Sequence, residues 1–93
     1  MKKKDIVTAI YENSSYQKQV IEDIVNETFK LMALGLIEDG TVMISDFGTF
    51  EKVYQKEYFG VNPATGERMM IKGSNKVSFS MGKKLKDDLN QGK

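Results

Sequence analysis

The segment from Gln17 to Glu38 constrains the fold more than any other stretch of the chain. On a helical wheel with about 100° per residue, its apolar side chains cover close to half of the circumference. They are Val20, Ile21, Ile24, Val25, Phe29, Leu31, Met32 and Leu36, with Thr28 among them. A helix that packs against one neighbour needs an apolar stripe of only about 100° or somewhat more. The wide face therefore predicts two packing partners: a short preceding helix and, most simply, a second copy of the chain.

The small size of the chain also favours a second copy. A single domain of 93 residues buries a marginal core, and without cysteine it has no disulfide bonds to compensate. The sequence also lacks histidine, the commonest metal ligand and the usual general base. We therefore expect a homo-oligomer that is not an enzyme and has no metal, no cofactor and no small-molecule substrate.

The beginning of the chain does not resemble a secretory leader. Lys2 to Lys4 are followed by Asp5 and not by a long apolar run. No window approaches the roughly 20 apolar residues of a membrane-spanning helix. We therefore expect a cytoplasmic protein without a membrane partner.

Periodicity and turn signals place two helices ahead of the strands and one helix after them, which is an α+β order. Gly48 lies between two phenylalanines, and such a glycine predicts a close backbone approach. Ser14 or Ser15 is the candidate amino-terminal cap of the second helix. The predicted elements are helices over 3–12 and 17–38, strands over 41–44 and 47–54, a long hairpin loop, a strand over 68–72 that is interrupted at 73–75 and resumes over 76–79, and a helix over about 81–90.

The hairpin loop contains Pro63, the only proline of the chain, between Gly60 and Gly66. One interpretation is an ordinary turn, because proline presets a backbone angle that turns require. The other is a rigid apolar ring at the end of an arm, where the flanking glycines give the backbone its freedom. The loop residues alone leave both interpretations open.

Charge is distributed unevenly, although the net charge is only +1. Residues 1–50 hold 5 basic and 8 acidic side chains, whereas residues 51–93 hold 9 and 5. Between Arg68 and Lys86 every charged side chain is basic. This asymmetry favours a polyanionic partner for the second half, although an ordinary solvated surface would show it too.

Three blocks of the sequence carry a family resemblance. They are "DFGTF" at Asp46–Phe50, "GVNPATGE" at Gly60–Glu67 and "GKKLKDDL" at Gly82–Leu89. Their order and spacing resemble those of the bacterial histone-like family of HU and integration host factor, over essentially the whole chain.

The resemblance implies one histone-like domain over residues 1–93 that forms an intertwined dimer. It also implies that two arms wrap the minor groove of double-stranded DNA and that a proline at each tip kinks the duplex. The implied parts are a helical base over about 1–40, a short antiparallel sheet with a protruding β-hairpin arm over about 41–79, and a carboxy-terminal helix over about 81–90.

By position, the resemblance assigns the wedge to Pro63, with Asn62 beside it at the tip. A rigid apolar ring without an amide hydrogen suits insertion between base pairs. The core aromatics that the resemblance places at the dimer junction are Phe47, Phe50 and Phe79. The basic residues expected at the DNA are Arg68, Lys72 and Lys76 on the returning strand, Lys83 and Lys86 of the last helix, and Lys3 on the flank. The alternative for the lysines is a solvated surface.

The arm departs from its relatives in lacking arginine. Relatives often carry arginine at the positions of Val53, Gln55, Tyr58 and Val61, and Asp46 stands where they have glycine or a basic residue. Log affinity falls with log salt at a slope of about −0.9 per neutralised phosphate. We therefore expect weaker DNA binding and a shallower salt dependence than for an arginine-armed relative.

Two functions follow from these observations. The first is a nucleoid-associated protein that bends DNA without sequence specificity and prefers nicked, gapped or bent duplexes. The alternative is a protein-interaction module of the same fold with weak or no DNA binding. Tyr58 and Phe59 fit a protein-binding arm, but packing along the arm and contact with DNA are equally open to them.

Overall fold

The computed structural model describes residues 1–91. Helices and strands are segregated along the chain, and the predicted α+β fold with a hairpin arm is confirmed. Residue contacts divide the chain into two compact units, Met1–Gly35 and a second unit that begins at Leu36. The elements are α1 (Lys3–Glu12), α2 (Lys18–Glu38), β1 (Thr41–Ile44), β2 (Gly48–Gln55), β3 (Tyr58–Val61), β4 (Arg68–Ile71), β5 (Ser74–Met81) and α3 (Lys83–Leu89).

The first unit contains α1 and most of α2, and its buried core is small. Val7 of α1 forms one cluster with Ile21 and Val25 of α2, and these side chains are 4%, 4% and 8% exposed. Ile24 and Leu31 lie on the adjoining stripe of α2 and are 61% and 57% exposed. One stripe of the wide apolar face is therefore covered within this unit, and the adjoining stripe with Ile24 and Leu31 is exposed.

The connection between the helices forms where it is predicted. Asn13 caps the carboxy-terminal end of α1, and its Nδ2 donates to the Ala9 carbonyl over 2.8 Å. Ser14 and Ser15 are the predicted candidates for the cap of α2, and the Ser14 Oγ accepts the Tyr16 amide over 3.4 Å, two residues before α2 begins. Ser14 therefore forms a local turn ahead of the helix, as a serine hydroxyl does when it bonds to nearby backbone.

In the second unit, an antiparallel sheet has the strand order β1-β2-β5. Its register aligns Val42, Phe50 and Phe79 across the strands, so these side chains share one face. The ring centroids of Phe50 and Phe79 lie 4.7 Å apart, and that of Phe47 lies 5.5 Å from Phe79. Phe47 and Phe79 remain 44% and 40% exposed. The three rings therefore form an aromatic cluster that is only partly covered.

Gly48 lies under the aromatic cluster, as its position between two phenylalanines predicts. It is buried and faces Met81 in the register of β2 and β5. A Cβ atom placed on Gly48 would lie 2.5 Å from the Ser80 carbonyl oxygen and 2.6 Å from the Phe79 ring. The close approach of the two strands therefore requires glycine at this position.

Strand β5 is longer than predicted at both ends. Ser74 and Asn75, predicted as part of an interruption, pair with Gln55 and Tyr54. Met81 is the last residue of this strand, and α3 begins at Lys83 rather than near residue 81. Pairing with β2 overrides the local turn preference of serine and asparagine, because strand formation depends on cross-strand context.

Gly48→Ala should lower the free energy of unfolding by about 1–3 kcal/mol, the usual cost of forcing a methyl group into a filled site. Chemical denaturation followed by circular dichroism measures the change. Ser78→Ala, on the exposed opposite face of β5, is the control and should change stability by less than about 0.5 kcal/mol. Unaltered stability in the Gly48→Ala protein would contradict the close approach.

Candidate nucleic-acid interface

The arm is a two-stranded antiparallel hairpin formed by β3 and β4. Its register runs from Tyr58↔Ile71 to Val61↔Arg68. The local sequence pattern predicts a long loop before Arg68 and misses β3, although the family resemblance implies a β-hairpin arm in this region. The strand is short and contains Gly60, and a glycine inside a strand weakens the pattern by which strands are identified.

The tip of the arm is closed by hydrogen bonds to Asn62. The Asn62 amide donates to the Glu67 carbonyl over 2.8 Å, and the Asn62 carbonyl accepts the Thr65 and Gly66 amides over 3.3 and 2.7 Å. Its Oδ1 accepts the Ala64 amide over 2.9 Å, which is the side-chain turn typical of asparagine. Asn62, predicted to contact DNA, therefore also shapes the tip.

Pro63 occupies the second position of the turn that Asn62 opens. Proline suits this position because its ring presets the backbone angle of such turns. Gly66 ends the turn with φ +74°, in the left-handed region that glycine adopts without strain. The Pro63 side chain is exposed at the end of the arm. The ordinary turn is thus present, and its geometry leaves the ring accessible to a ligand.

The two faces of the arm differ in how well they are filled. Facing residues of an antiparallel pair lie on the same side. The packed face consists of Tyr58, Gly60, Met69 and Ile71, and the open face consists of Phe59, Val61, Arg68 and Met70. On the packed face, a Cβ atom placed on Gly60 would lie 2.6 Å from Ile71 Cδ1 and 3.8 Å from Tyr58 Cε2. Ile71 and Tyr58 therefore cover the glycine there.

The open face combines exposed apolar side chains with one cation. Phe59 and Val61 are 65% and 62% exposed. The Arg68 guanidinium lies over the Phe59 ring, with Cζ 5.8 Å from the ring centroid, within the range of a cation–π interaction. The sequence identifies Arg68 as a candidate but not Phe59 as its partner, because this diagonal pairing depends on the strand register.

Lys72 and Lys76 lie where the arm joins the sheet. Lys72 is in the connection between β4 and β5, and Lys76 faces Val53 across β2 and β5. Strand alternation puts Lys76 on the side of the sheet opposite to the aromatic cluster. By contrast, Lys52 is on the aromatic side, and its Nζ donates to the Ile37 carbonyl over 3.3 Å. Lys52 therefore has a structural role at the end of α2.

Lys83 and Lys86 belong to the short helix α3. The Gly82 amide donates to the Phe47 carbonyl over 2.9 Å, which fixes the start of this helix beside the turn between β1 and β2. Among residues 1–91 the one ion pair is formed by Lys84 and Asp88, with 3.2 Å between Nζ and Oδ2. Lys83 and Lys86 have no carboxylate within 4.0 Å in that part of the chain, so their charges are not neutralised there.

Lys3 is the predicted DNA-contacting residue of the first unit. It is the first residue of α1 and lines a concavity of about 270 Å³ together with Lys4 and Lys18, beside Glu22. The other predicted DNA-contacting residues all belong to the second unit.

Asp46 occupies the turn between β1 and β2 with φ +63°. The Phe47 amide closes this turn by donating to the Ile44 carbonyl over 3.1 Å. Aspartate is among the few residues other than glycine that adopt this left-handed conformation readily. The backbone geometry of this turn is therefore one that aspartate accommodates.

Residues 1–91 offer neither a metal-binding cluster nor a membrane-spanning helix. No group of three or more acidic side chains there has an arrangement that could hold a metal ion. None of the helices in this range has both the length and the apolar composition needed to cross a bilayer.

Known proteins resemble this chain over nearly its full length. The family model described as "Bacterial DNA-binding protein" matches residues 1–90. DNA-binding protein HU-1 of Halalkalibacterium halodurans is 33% identical over 90 residues, which are 97% of this chain and 100% of the relative. Integration host factor subunit beta of Sodalis glossinidius is 34% identical over 79 residues, which are 85% of this chain and 84% of the relative. Among solved structures, HU of Anabaena in a cocrystal with DNA matches with a TM-score of 0.87 at 26% identity, over 98% of this chain and 99% of that one.

Gly66→Ala should loosen the tip of the arm, because a left-handed backbone costs alanine about 1–2 kcal/mol. The Asn62 amide, which donates to the Glu67 carbonyl, should then exchange with solvent at least about five-fold faster. Hydrogen–deuterium exchange followed by NMR measures this rate. Gly66→Asn is the matched control, since asparagine tolerates the conformation. Equal acceleration in the two variants would contradict the conformational explanation.

Proposed function

The chain belongs to the bacterial DNA-binding protein family of HU and integration host factor, and on that premise we propose that it binds and bends double-stranded DNA without sequence specificity. Members of this family are architectural proteins and not enzymes. In this proposal the protein acts as a dimer in the cytoplasmic nucleoid, and its two arms wrap the minor groove.

The observation that carries the proposal is the exposed Pro63 at the tip of the arm. A proline ring is a compact apolar wedge, and wedges of this kind enter base steps and kink the duplex from the minor-groove side. Unstacking a step costs a few kcal/mol, which is offset when the bend brings more DNA against the protein. Asn62, by closing the turn, keeps the ring at the very end of the arm.

The lysines of the second unit supply the remaining contacts. Lys76, Lys83 and Lys86 form no ion pair with any carboxylate in residues 1–91. Lysine binds phosphate as a flexible point charge, and phosphate contacts carry no direct sequence information. Lys72 and, in the first unit, Lys3 are further candidates for phosphate contact. Binding through these residues would therefore be largely independent of sequence.

The preferred DNA in this proposal is nicked, gapped or already bent. Such duplexes are preferred because less energy is needed to deform them. Arg68 is the only basic residue between Tyr58 and Ile71. The affinity should therefore be lower than that of a relative whose arm carries several arginines, since each lost phosphate contact weakens binding and flattens the salt dependence.

A dimer is supported by two apolar surfaces that are incompletely covered. One is the stripe of α2 that contains Ile24 and Leu31, and the other is the aromatic cluster of Phe47, Phe50 and Phe79. Contiguous exposed apolar surface of this kind marks interaction sites. We propose that both surfaces are buried against a second copy, in the intertwined arrangement that the family resemblance implies.

Pro63→Ala should reduce DNA bending more than DNA affinity, because it removes the wedge and keeps the lysine contacts. Fluorescence anisotropy on linear and nicked duplexes at two salt concentrations measures affinity. Energy transfer between the duplex ends measures bending. The unmodified protein should bind the nicked duplex more tightly.

Ala64→Ser is the control for Pro63→Ala, since it changes the neighbouring tip residue and retains the proline. Its bending should equal that of the unmodified protein. Unchanged bending in Pro63→Ala would refute the wedge. Failure of the unmodified protein to bind either duplex at low salt would refute the proposed function and favour the protein-interaction alternative.

Leu31→Lys should convert the dimer into a monomer, because it places a charge in the apolar stripe proposed to meet the second copy. Light scattering coupled to gel filtration measures the mass. Asn26→Lys introduces the same side chain on the polar side of α2 and should leave the dimer intact. A monomeric unmodified protein would rule out the proposed assembly.

A further inference from the structure

We propose that the arm presents its open face to the minor groove and that Phe59 positions Arg68 as the cation that contacts the groove. This inference rests on the proposed function, because it assigns the DNA-contacting side of the same arm. The packed face, in this assignment, stabilises the hairpin and points away from the groove.

The first argument is the difference in packing between the faces. On the packed face, Ile71 and Tyr58 cover Gly60, and Tyr58 and Met69 are 44% and 48% exposed. On the open face, Phe59 and Val61 are 65% and 62% exposed. A two-stranded hairpin has only two faces, and the one with more uncovered apolar surface gains more from contact with deoxyribose.

The second argument is charge. Arg68 is the only cation and Glu67 the only anion between Tyr58 and Ile71. Glu67 precedes the first residue of β4 and belongs to the turn that closes the tip. Within the paired strands β3 and β4, the open face therefore carries the one positive charge and no carboxylate. Such a face complements the minor groove, whose negative potential attracts arginine, most strongly where the groove is narrow.

The third argument is preorganisation of Arg68. Its guanidinium already lies over the Phe59 ring, 5.8 Å from the centroid. A free arginine loses rotamer entropy when it is immobilised on binding, and holding it beforehand reduces that cost. Phe59 is therefore a positioning residue in this proposal, and it contacts the groove wall through the part of the ring that the guanidinium leaves uncovered.

The test compares matched substitutions on the two faces by anisotropy titration over several salt concentrations. Arg68→Gln should lower affinity and make the slope of log affinity against log salt shallower by about 0.9 per arm, as for one neutralised phosphate. Phe59→Leu should lower affinity by about two- to five-fold, the fold-change equivalent to an exposed cation–π interaction of about 0.5–1 kcal/mol. Phe59→Tyr retains an aromatic ring under the guanidinium and should bind DNA with the affinity of the unmodified protein. Tyr58→Leu, on the packed face, should leave the salt slope unchanged.

A base substitution identifies the groove. Guanine presents its 2-amino group in the minor groove, and inosine lacks that group while keeping the major-groove edge. The unmodified protein should bind a duplex with inosine–cytosine pairs more tightly than its guanine–cytosine counterpart. Arg68→Gln and Phe59→Leu should reduce this preference, whereas Tyr58→Leu should retain it.

The outcomes separate this inference from the proposed function. DNA binding by the unmodified protein, combined with an unchanged salt slope in Arg68→Gln, would overturn the inference and leave the proposed function standing. Loss of the inosine preference in Tyr58→Leu but not in Phe59→Leu would assign the groove to the packed face and also overturn it. Absence of DNA binding by the unmodified protein would overturn both.

Discussion

The pairing of β2 with β5 is the interaction on which the second unit depends. It runs from Gly48↔Met81 to Gln55↔Ser74 and joins the strand before the arm to the strand after it. Because facing residues share a side, the same pairing gathers Phe50 with Phe79 and directs Lys76 to the opposite side. One side of this strand pair therefore carries the aromatic cluster, and the other carries Lys76, a candidate for phosphate contact, together with Glu51.

The arm beyond this pairing has to be stabilised by local interactions. A two-stranded hairpin alone is marginally stable in water, and β3 and β4 form a separate two-stranded sheet. Ile71 packs over Gly60 on one face, and Asn62 closes the tip with hydrogen bonds from its backbone and its side chain. Stabilisation is thus concentrated on one face and at the tip, which leaves the other face and the Pro63 ring exposed.

Local sequence patterns predicted most elements, whereas features that depend on strand pairing were missed. Periodicity placed α1 over residues 3–12, and turn signals placed β1 over 41–44, as observed. Asn75 carries a strong local turn preference, but in the structure it pairs with Tyr54, which no local window reveals. The same holds for the site: the motif locates Pro63 at the tip, but the contact of Arg68 with Phe59 requires the register of β3 and β4.

Register also changes what the missing arginines imply. Val53 and Val61 stand where the family resemblance leads us to expect arginine, yet Lys76 faces Val53 and Arg68 faces Val61. Facing residues have Cβ atoms about 4.5–5.5 Å apart, a distance that a long basic side chain spans easily. A cation on the returning strand therefore presents its charge on the same side of the arm as one on the outgoing strand would. Of the four positions where the resemblance leads us to expect arginine, only two face uncharged residues: Gln55 lies opposite Ser74, and Tyr58 lies opposite Ile71.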